Sequence, residues 1–410
     1  MLNLEVVRSQ FPAFQRTIEG QPVAFFDGPA GSQVPQSVVD AVADALINTN
    51  ANCGAAFVTS QLSDAMLAQT RESCADFLNA QTPEEIVFGP NMTTLTLSLS
   101  RALSETWFYG DEIIVSRLDH DANVTPWVQA AESVGVVVKQ IDFDLETCTL
   151  DMDHYNSLLT NRTRLVAVGG ASNATGTVNP VQEIVRLAKT VGARTFVDAV
   201  HLAPHRLVDV QEIGSDFLAC SAYKFFGPHV GILWGKSTLL NGLTPDKLRP
   251  APNSIPGKWM TGTQNHEGIA GVAAAIEYLA SLSGGDQSLP RRERLTKSFQ
   301  LIYEHEQKIG LQLIEGLSKI ESLKIWGITS PEQMEDRVPT ISVTHQSKSP
   351  QFLSEELGRR GLFTWAGNHY ALPFTEFAGL EPEGTLRIGL LHYNSAEEVE
   401  RLLFHLNEIC

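Results

Sequence analysis

The stretch RLVAVGGASNATGTVNPVQEIVRLAKTVGARTFVDA, residues 164–199, decides the fold. It opens on an apolar run, RLVAVGG, and passes through a turn-rich segment of Asn, Gly and Pro. VQEIVRLAKTVG then sets apolar residues at helical spacing, and ARTFVDA closes on a second apolar run. Strand, helix and strand in this order read as one βαβ unit. The same alternation extends outward from about residue 80 to residue 236. Its other candidate strands are EIVFG, DEIIVS, GVVVKQIDF, FLACSA and GILWG, with MTTLTLSLSRALSET and VTPWVQAAESVG as helices. The pattern predicts an α/β fold with a mainly parallel, seven-stranded sheet and helices on both faces. In such sheets ligands bind outside the carboxyl ends of the strands, so the chemistry is sought there.

Beyond about residue 285 the pattern changes. A polar, helix-rich run from 291 to 320 precedes the scattered strands TISVTH and TLRIGLL and a closing helix, SAEEVERLLFHLNEI. LSGGDQSLP, residues 282–290, reads as the boundary. The expected division is a large domain over 16–284 and a smaller α+β domain over 285–410, joined by residues 1–15.

The chain has 410 residues, 43% of them hydrophobic and 19% charged, which is ordinary for a globular protein. Its net charge of −17 argues against nucleic acid or an anionic membrane as partner, since neither attracts an acidic surface. The five cysteines are widely spaced and form no C-x-x-C. Neither a disulfide framework nor a metal site is expected, and a reducing, cytoplasmic setting fits best. The start, MLNLEVVRSQFPAF, has no basic and apolar leader pattern.

Five strand ends carry candidate chemistry. Lys224, in FLACSAYKFFGPHVGILWGK, lies between two buried runs. By itself it reads as a lysine snorkelling to solvent. SAYK also fits the S-x-x-K of serine acyl-enzymes, but neither S-D-N nor K-T-G occurs. Asp198 ends an apolar strand, where a carboxylate needs a partner or an open sheet edge. A lysine able to form a Schiff base and an acid able to pair a pyridinium nitrogen together suit pyridoxal 5'-phosphate. In FGPNMTTLTLSLS, Met92 and Thr93 open a helix whose free amides suit a phosphate. Asn91 or Thr93 serves equally as a plain N-cap. His120, in SRLDHDANVTPW, follows a strand and can stack on a ring or lie on the surface. Asn173 and Thr175, in ASNATGTVNP, sit at another strand end, where a turn is the simpler reading.

Taken together these segments resemble the fold-type I pyridoxal-phosphate enzymes of the class V aminotransferase group, and most the cysteine desulfurase and selenocysteine lyase branch. The resemblance runs from about Phe25 to the C-terminus. FFDGPAGSQVP is similar to the family's opening substrate loop, which implies a substrate contact at Ala30. DHDANVTPW resembles E-H-H-A-N-x-x-P-W and places His120 on the cofactor ring. SNATGTVNP implies that Asn173 lies near the ring hydroxyl and the substrate. VDAVHLAPHRLVDV puts Asp198 under the pyridine nitrogen and His201 beside the ring hydroxyl. SAYKFFGPHVGILWG makes Lys224 the Schiff-base lysine, with Ser221 and Tyr223 as cofactor contacts. KWMTGTQN resembles the segment by which a neighbouring subunit lends Gly262 and Thr263 to the phosphate, and so implies a homodimer with shared sites. TLRIGLLHYNS places Arg387 at the substrate carboxylate, where a guanidinium donates two parallel hydrogen bonds.

The departures from the family pattern bear on the reaction. The desulfurase loop G-H-H-C-A-Q-P carries a sulfur-accepting cysteine. The aligned loop here, AGNHYALP at 366–373, has Tyr370 at that position and His369 before it. None of the five cysteines falls between Cys220 and Cys410. A phenol of ordinary pKa ~10 accepts no persulfide. His201 stands for the family's Gln, Tyr223 for its His, and NANCGAAFVTS for a segment with a basic side chain. Cys53 in that segment is expected as a small buried hydrophobe. The resemblance therefore implies a pyridoxal-phosphate enzyme acting on an amino acid, most simply a C–S β-lyase with no protein persulfide. Transamination and epimerisation are the alternatives within the family. A non-catalytic protein on the same fold is the alternative of another class, disfavoured because Lys224, Asp198 and His120 occur together. Tyr370 and His369 would face the substrate side chain.

Overall fold

A computed structural model describes residues 2–285 and 287–410 of the chain. Its largest sheet has seven strands. From one edge to the other they are Ile86–Gly89, Gly231–Gly235, Phe217–Ser221, Arg194–Asp198, Thr163–Gly169, Glu112–Ser116 and Val137–Ile141. Gly231–Gly235 runs antiparallel to both its neighbours, and the remaining pairs are parallel. The expected seven-stranded α/β sheet is present.

Strand alternation splits the core into two layers. Ile114, Val166, Val168, Leu218 and Cys220 face one layer, while Ile113, Val115, Leu165, Ala167 and Phe217 face the other. Both faces are apolar because helices cover both. Met92–Ser104 and Thr125–Val134 supply Leu95, Leu99, Trp127 and Ala131 to the second layer. Val181–Thr190 supplies Ile184, Val185 and Ala188 to the first. Val137–Ile141, at the edge, is mostly half-exposed.

A four-stranded antiparallel sheet forms the smaller body, in the order Leu323–Trp326, Thr340–His345, Thr385–Gly389, Trp365–Gly367. Ile341, Val343, Leu386 and Ile388 pack with Leu353, Leu357, Val399 and Leu402 from the helices Pro350–Arg359 and Ala396–Ile409. The closing helix starts on a capping box between Ser395 and Glu398. Helix Arg291–Leu317 joins the bodies: Leu295, Phe299 and Ile302 enter the large core, Ile309, Leu313 and Leu317 the small one. The N-terminal segment touches both, with Val7 and Phe11 in the large core and Arg8 paired to Glu398 at 2.9 Å.

Two helices precede the first strand of the large sheet, Gln36–Asn48 and Val58–Leu78, and the second carries little sequence signal. The second buries Ser60, Ser63, Thr70 and Ser73 beside Leu67 and Phe77. Thr70 and Ser73 donate to the carbonyls of Met66 and Gln69, at 2.9 and 3.0 Å, so their hydroxyls are satisfied inside the helix. A stripe half made of hydroxyls gives no amphipathic pattern. Among the described residues, no helix is long and apolar enough to cross a membrane.

Candidate active site

Asp198 and Ser221 are the last residues of adjacent strands, and Asp198 pairs with Ala219 in the parallel register. A 3-10 turn, Ala222–Lys224, follows Ser221, so Lys224 comes one turn beyond the strand rather than at its end. The turn places its side chain in a cavity that Asp198, Asn173, His120 and Met92 also line. Lys224 Nζ donates to the Pro29 carbonyl and lies 4.8 Å from the Tyr223 ring centre. Burial strips water from the ammonium and Arg387 adds a like charge. Together they push the Lys224 pKa down to about 7, against the opposing pull of Asp198 and Asp27.

That value predicts a titration. In cofactor-free protein, labelling of Lys224 by an acylating reagent should rise with pH around a midpoint near 7. About one and a half units below the midpoint, the reactive fraction should fall roughly thirtyfold. Peptide mass spectrometry of labelled protein reads it directly. Labelling that still climbs steeply above pH 9 would show an ordinary, solvated lysine.

Asp198 is buried, and its Oδ1 accepts the Val200 N–H at 2.8 Å. Burial raises its pKa to about 6. His120 caps a short 3-10 turn, and its Nδ1 accepts the Ala122 N–H at 3.0 Å. A backbone amide only donates, so the ring proton belongs on Nε2. Burial, then Lys224 and Arg387, push the His120 pKa down to about 4, and the ring is neutral.

At the start of helix Met92–Ser104, Asn91 is the N-cap, accepting the Thr94 N–H at 2.8 Å. Met92 N–H donates to Ser221 Oγ at 3.1 Å. Thr93 lies in the first turn, where amides have no intrahelical acceptor, and lines the same cavity.

The outer wall comes from the smaller body. Arg387 is buried in the middle of strand Thr385–Gly389, and burial lowers its pKa to about 9. Its Nη1 donates to the Asn173 carbonyl at 3.0 Å. Asn173 Nδ2 donates in turn to the His369 carbonyl at 2.8 Å, and Ser342 Oγ donates to the Ala174 carbonyl at 2.7 Å. These three bonds tie the turn after Thr163–Gly169 to the smaller sheet. His369 Nε2 is 3.0 Å from Thr385 Oγ1, and burial holds the ring neutral. His201 Nε2 is 3.0 Å from Thr340 Oγ1 and is likewise neutral by burial. Behind it stands His205, whose Nδ1 is 2.8 Å from Glu306 Oε2.

Met92, Thr93, His120, Asn173, Asp198, His201, Ser221, Tyr223 and Lys224 line the inner cavity. Ala30, His369, Tyr370 and Arg387 line its wider mouth. Gly262 and Thr263 do not reach either; Thr263 lines a separate depression with Trp259 and His229. Cys53 is exposed, not buried as expected, with its Sγ 3.8 Å from His266 Nε2. Residues 52–54 are all exposed, in a bend ahead of helix Val58–Leu78, so no core closes over the thiol. Partial burial and Asp64 push its thiol up to about 11, so it is a poor nucleophile. No cysteine lines either cavity among the described residues.

Three further residues belong to the site. Asp27 feels both Arg387 and Lys224, yet burial raises its pKa to about 6. Asp119 lines the inner cavity, accepting the Gly169 N–H at 2.6 Å and Asn123 Nδ2 at 3.2 Å. Burial and the nearby Asp198 push it up to about 8. Both are acids next to residues the sequence singles out, and a buried acid beside a strand end was the available signal. Trp365 lines the mouth, with no signal beyond its place before the loop.

An aspartate ending one strand and a lysine one turn beyond the adjacent strand, faced by a buried arginine from a second body, are the arrangement of a fold-type I pyridoxal-phosphate-dependent enzyme. The chain belongs to the aminotransferase class-V family, which it matches over residues 24–402. It is similar to the aminotransferase-like protein FGM3 of Gibberella zeae, with 33% identity over 99% of this chain and 98% of that protein. It is 31% identical to a probable cysteine desulfurase of Vibrio cholerae, over 98% of this chain and 97% of the relative. A cysteine desulfurase from Thermococcus onnurineus, in its apo structure, superposes with a TM-score of 0.89 at 27% identity, covering 100% of this chain and 98% of the other.

Proposed function

We propose that the enzyme binds pyridoxal 5'-phosphate at Lys224 and cleaves a C–S bond of an amino acid by β-elimination, passing no sulfur to the protein. The observation that carries the first half is the donor set. Asp198 offers a buried carboxylate, and Asn173 Oδ1 is buried without a protein partner. The Thr93 amide and the Ser221 hydroxyl suit a phosphate. Neutral His120 offers a ring face rather than a charge. These residues fit the cofactor's nitrogen, ring substituents, phosphate and ring plane.

Bound there, the cofactor supplies an electron sink for a carbanion at the substrate's Cα. Arg387 holds the substrate carboxylate. Lys224, with its lowered pKa, is a base for the Cα proton at neutral pH. Asp198 keeps a proton on the cofactor nitrogen by offering it a carboxylate. Loss of the Cα proton leaves an electron pair that forms the Cα–Cβ double bond. The Cβ–S bond breaks, and sulfur departs with its electrons as a thiolate, to be protonated in water. The released enamine takes up water and gives pyruvate and ammonia.

The elimination reading rests on Tyr370, which stands where a sulfur-accepting thiol is needed, and on the absence of cysteine from the linings of both cavities. Product analysis separates the exits from one carbanion. Cysteine or a thioether should give pyruvate and ammonia in equal amounts, and mass spectrometry should find no persulfide on the protein. Alanine as product would return the enzyme to desulfuration. Solvent deuterium entering Cα without breakdown would mean epimerisation, and pyridoxamine phosphate would mean transamination.

The dimer is part of the same proposal. Gly262, with φ of 69°, and Thr263 lie outside their own chain's cavity, free to serve a partner's phosphate. Light scattering at micromolar concentration should give twice the chain mass. A monomer with full cofactor content would overturn the shared site.

A further inference from the structure

The outer mouth offers more than room for a sulfur atom. It opens off the inner cavity, sharing His120, Asn173 and Lys224 with it, and its volume of about 520 Å³ admits a ligand larger than cysteine. Its rim is aromatic. Trp365 and Tyr370 both line it, yet they are 51% and 73% exposed. Trp365 is the cross-strand partner of Arg387 in the antiparallel pair, so their side chains share one face of the sheet as neighbours. A carboxylate held by Arg387 therefore leaves the rest of its molecule beside the indole.

Tyr370 is held out by its backbone. His369 and Tyr370 have φ of 58° and 56°, the left-handed region that non-glycine residues avoid. Three hydrogen bonds maintain it: Asn173 Nδ2 to the His369 carbonyl at 2.8 Å, Asp121 N–H to the Tyr370 carbonyl at 2.7 Å, and Tyr370 N–H to Asn368 Oδ1 at 3.1 Å. The phenol ring then stacks on His120, with centres 5.6 Å apart and planes 13° from parallel. Backbone strain of this kind concentrates at ligand clamps.

Leu97 and Pro126 add apolar wall. Beyond Lys224 and Arg387, the charge in the lining is Asp121, whose carboxylate accepts the Thr125 hydroxyl. With Lys224 and Arg387 taken by the amino-acid end, an acidic side chain would meet that carboxylate.

We propose that this mouth is a side-chain subsite for planar groups, so that the substrate is an amino acid carrying an aromatic or heteroaromatic substituent, received by Trp365 and Tyr370. The inference rests on the reading of Arg387 and Lys224 as the amino-acid end of the site.

The test measures binding to the holoenzyme by rapid mixing, from the concentration dependence of the cofactor absorbance shift before product accumulates, because thioethers are substrates under that reading. S-benzylcysteine should bind about tenfold or more tightly than S-methylcysteine, as ring stacking contributes beyond area alone. S-carboxymethylcysteine should bind more weakly than either. Trp365→Ala should remove most of the preference for the benzyl over the methyl compound, and Trp365→Phe should keep it. Equal affinity for the benzyl and methyl compounds overturns the subsite, as does a preference that Trp365→Ala leaves intact. If no amino acid binds or shifts the absorbance, the underlying reading of the site fails, and this inference with it.

Discussion

Lys224→Ala is expected to lower elimination by roughly 10²–10⁴-fold, the usual contribution of a positioned base. It should also abolish covalent attachment of the cofactor. Wild-type protein treated with pyridoxal phosphate and borohydride should carry the cofactor on the peptide containing Lys224. The variant should lose all visible absorbance on desalting. The fold should survive, since the side chain gives the protein only one hydrogen bond, to the Pro29 carbonyl beside an open cavity. The cofactor-free variant should even be more stable than wild type at neutral pH. Burial and Arg387 hold the Lys224 pKa near 7, below its unfolded value, so the unfolded chain binds the extra proton more readily. Wild-type apo stability should then rise with pH from about 7 toward about 10.4, where the unfolded lysine also loses its proton. The variant should lack this rise. Full activity in Lys224→Ala would end the case for a pyridoxal-phosphate mechanism at this position.

What could be read from residues alone follows a physical division. Apart from the edge strand Val137–Ile141, each strand of the large sheet is a short, mostly apolar run because it is buried on both faces. Such runs bounded by turns are the strongest local signal a chain offers. Asp198 was legible for the same reason, since a carboxylate ending an apolar strand needs an explanation. Helix Val58–Leu78 was not legible, because its buried face is partly Ser and Thr bonded to the helix's own carbonyls. The mouth was half legible. Tyr370 stood out by what it replaced. Trp365 acquires meaning only through its register opposite Arg387, a contact between two strands of the smaller sheet that sequence spacing does not encode. Asp27 is similar: burial raises its pKa against the pull of Arg387 and Lys224, and all of these come from tertiary packing with residues far away in the chain.

Arg387→Ala should reduce kcat/KM for carboxylate-bearing substrates by roughly 10²–10⁴-fold. The guanidinium faces the mouth of the site. It is buried, one nitrogen is engaged by the Asn173 carbonyl, and the side chain lines the mouth beside Lys224. Its free donors face a place where a carboxylate can accept two charge-assisted bonds. Each such bond contributes about 1.5–3 kcal/mol, so losing both costs about 3–6 kcal/mol in transition-state binding. Arg387→Lys should recover little, because an ammonium cannot reproduce the planar fork. A second readout needs no substrate. Arg387 is the like charge that helps depress Lys224, so its removal should move the labelling midpoint of Lys224 upward from near 7. The same variant relieves Asp27 of a favourable neighbour, so the Asp27 carboxyl should titrate above its present value of about 6. A role confined to packing would move neither titration while still lowering stability. Unchanged kcat/KM together with an unmoved Lys224 midpoint would remove Arg387 from the site. An unchanged kcat/KM with a shifted midpoint would keep it as an electrostatic neighbour of Lys224 and send the search for the carboxylate's partner elsewhere.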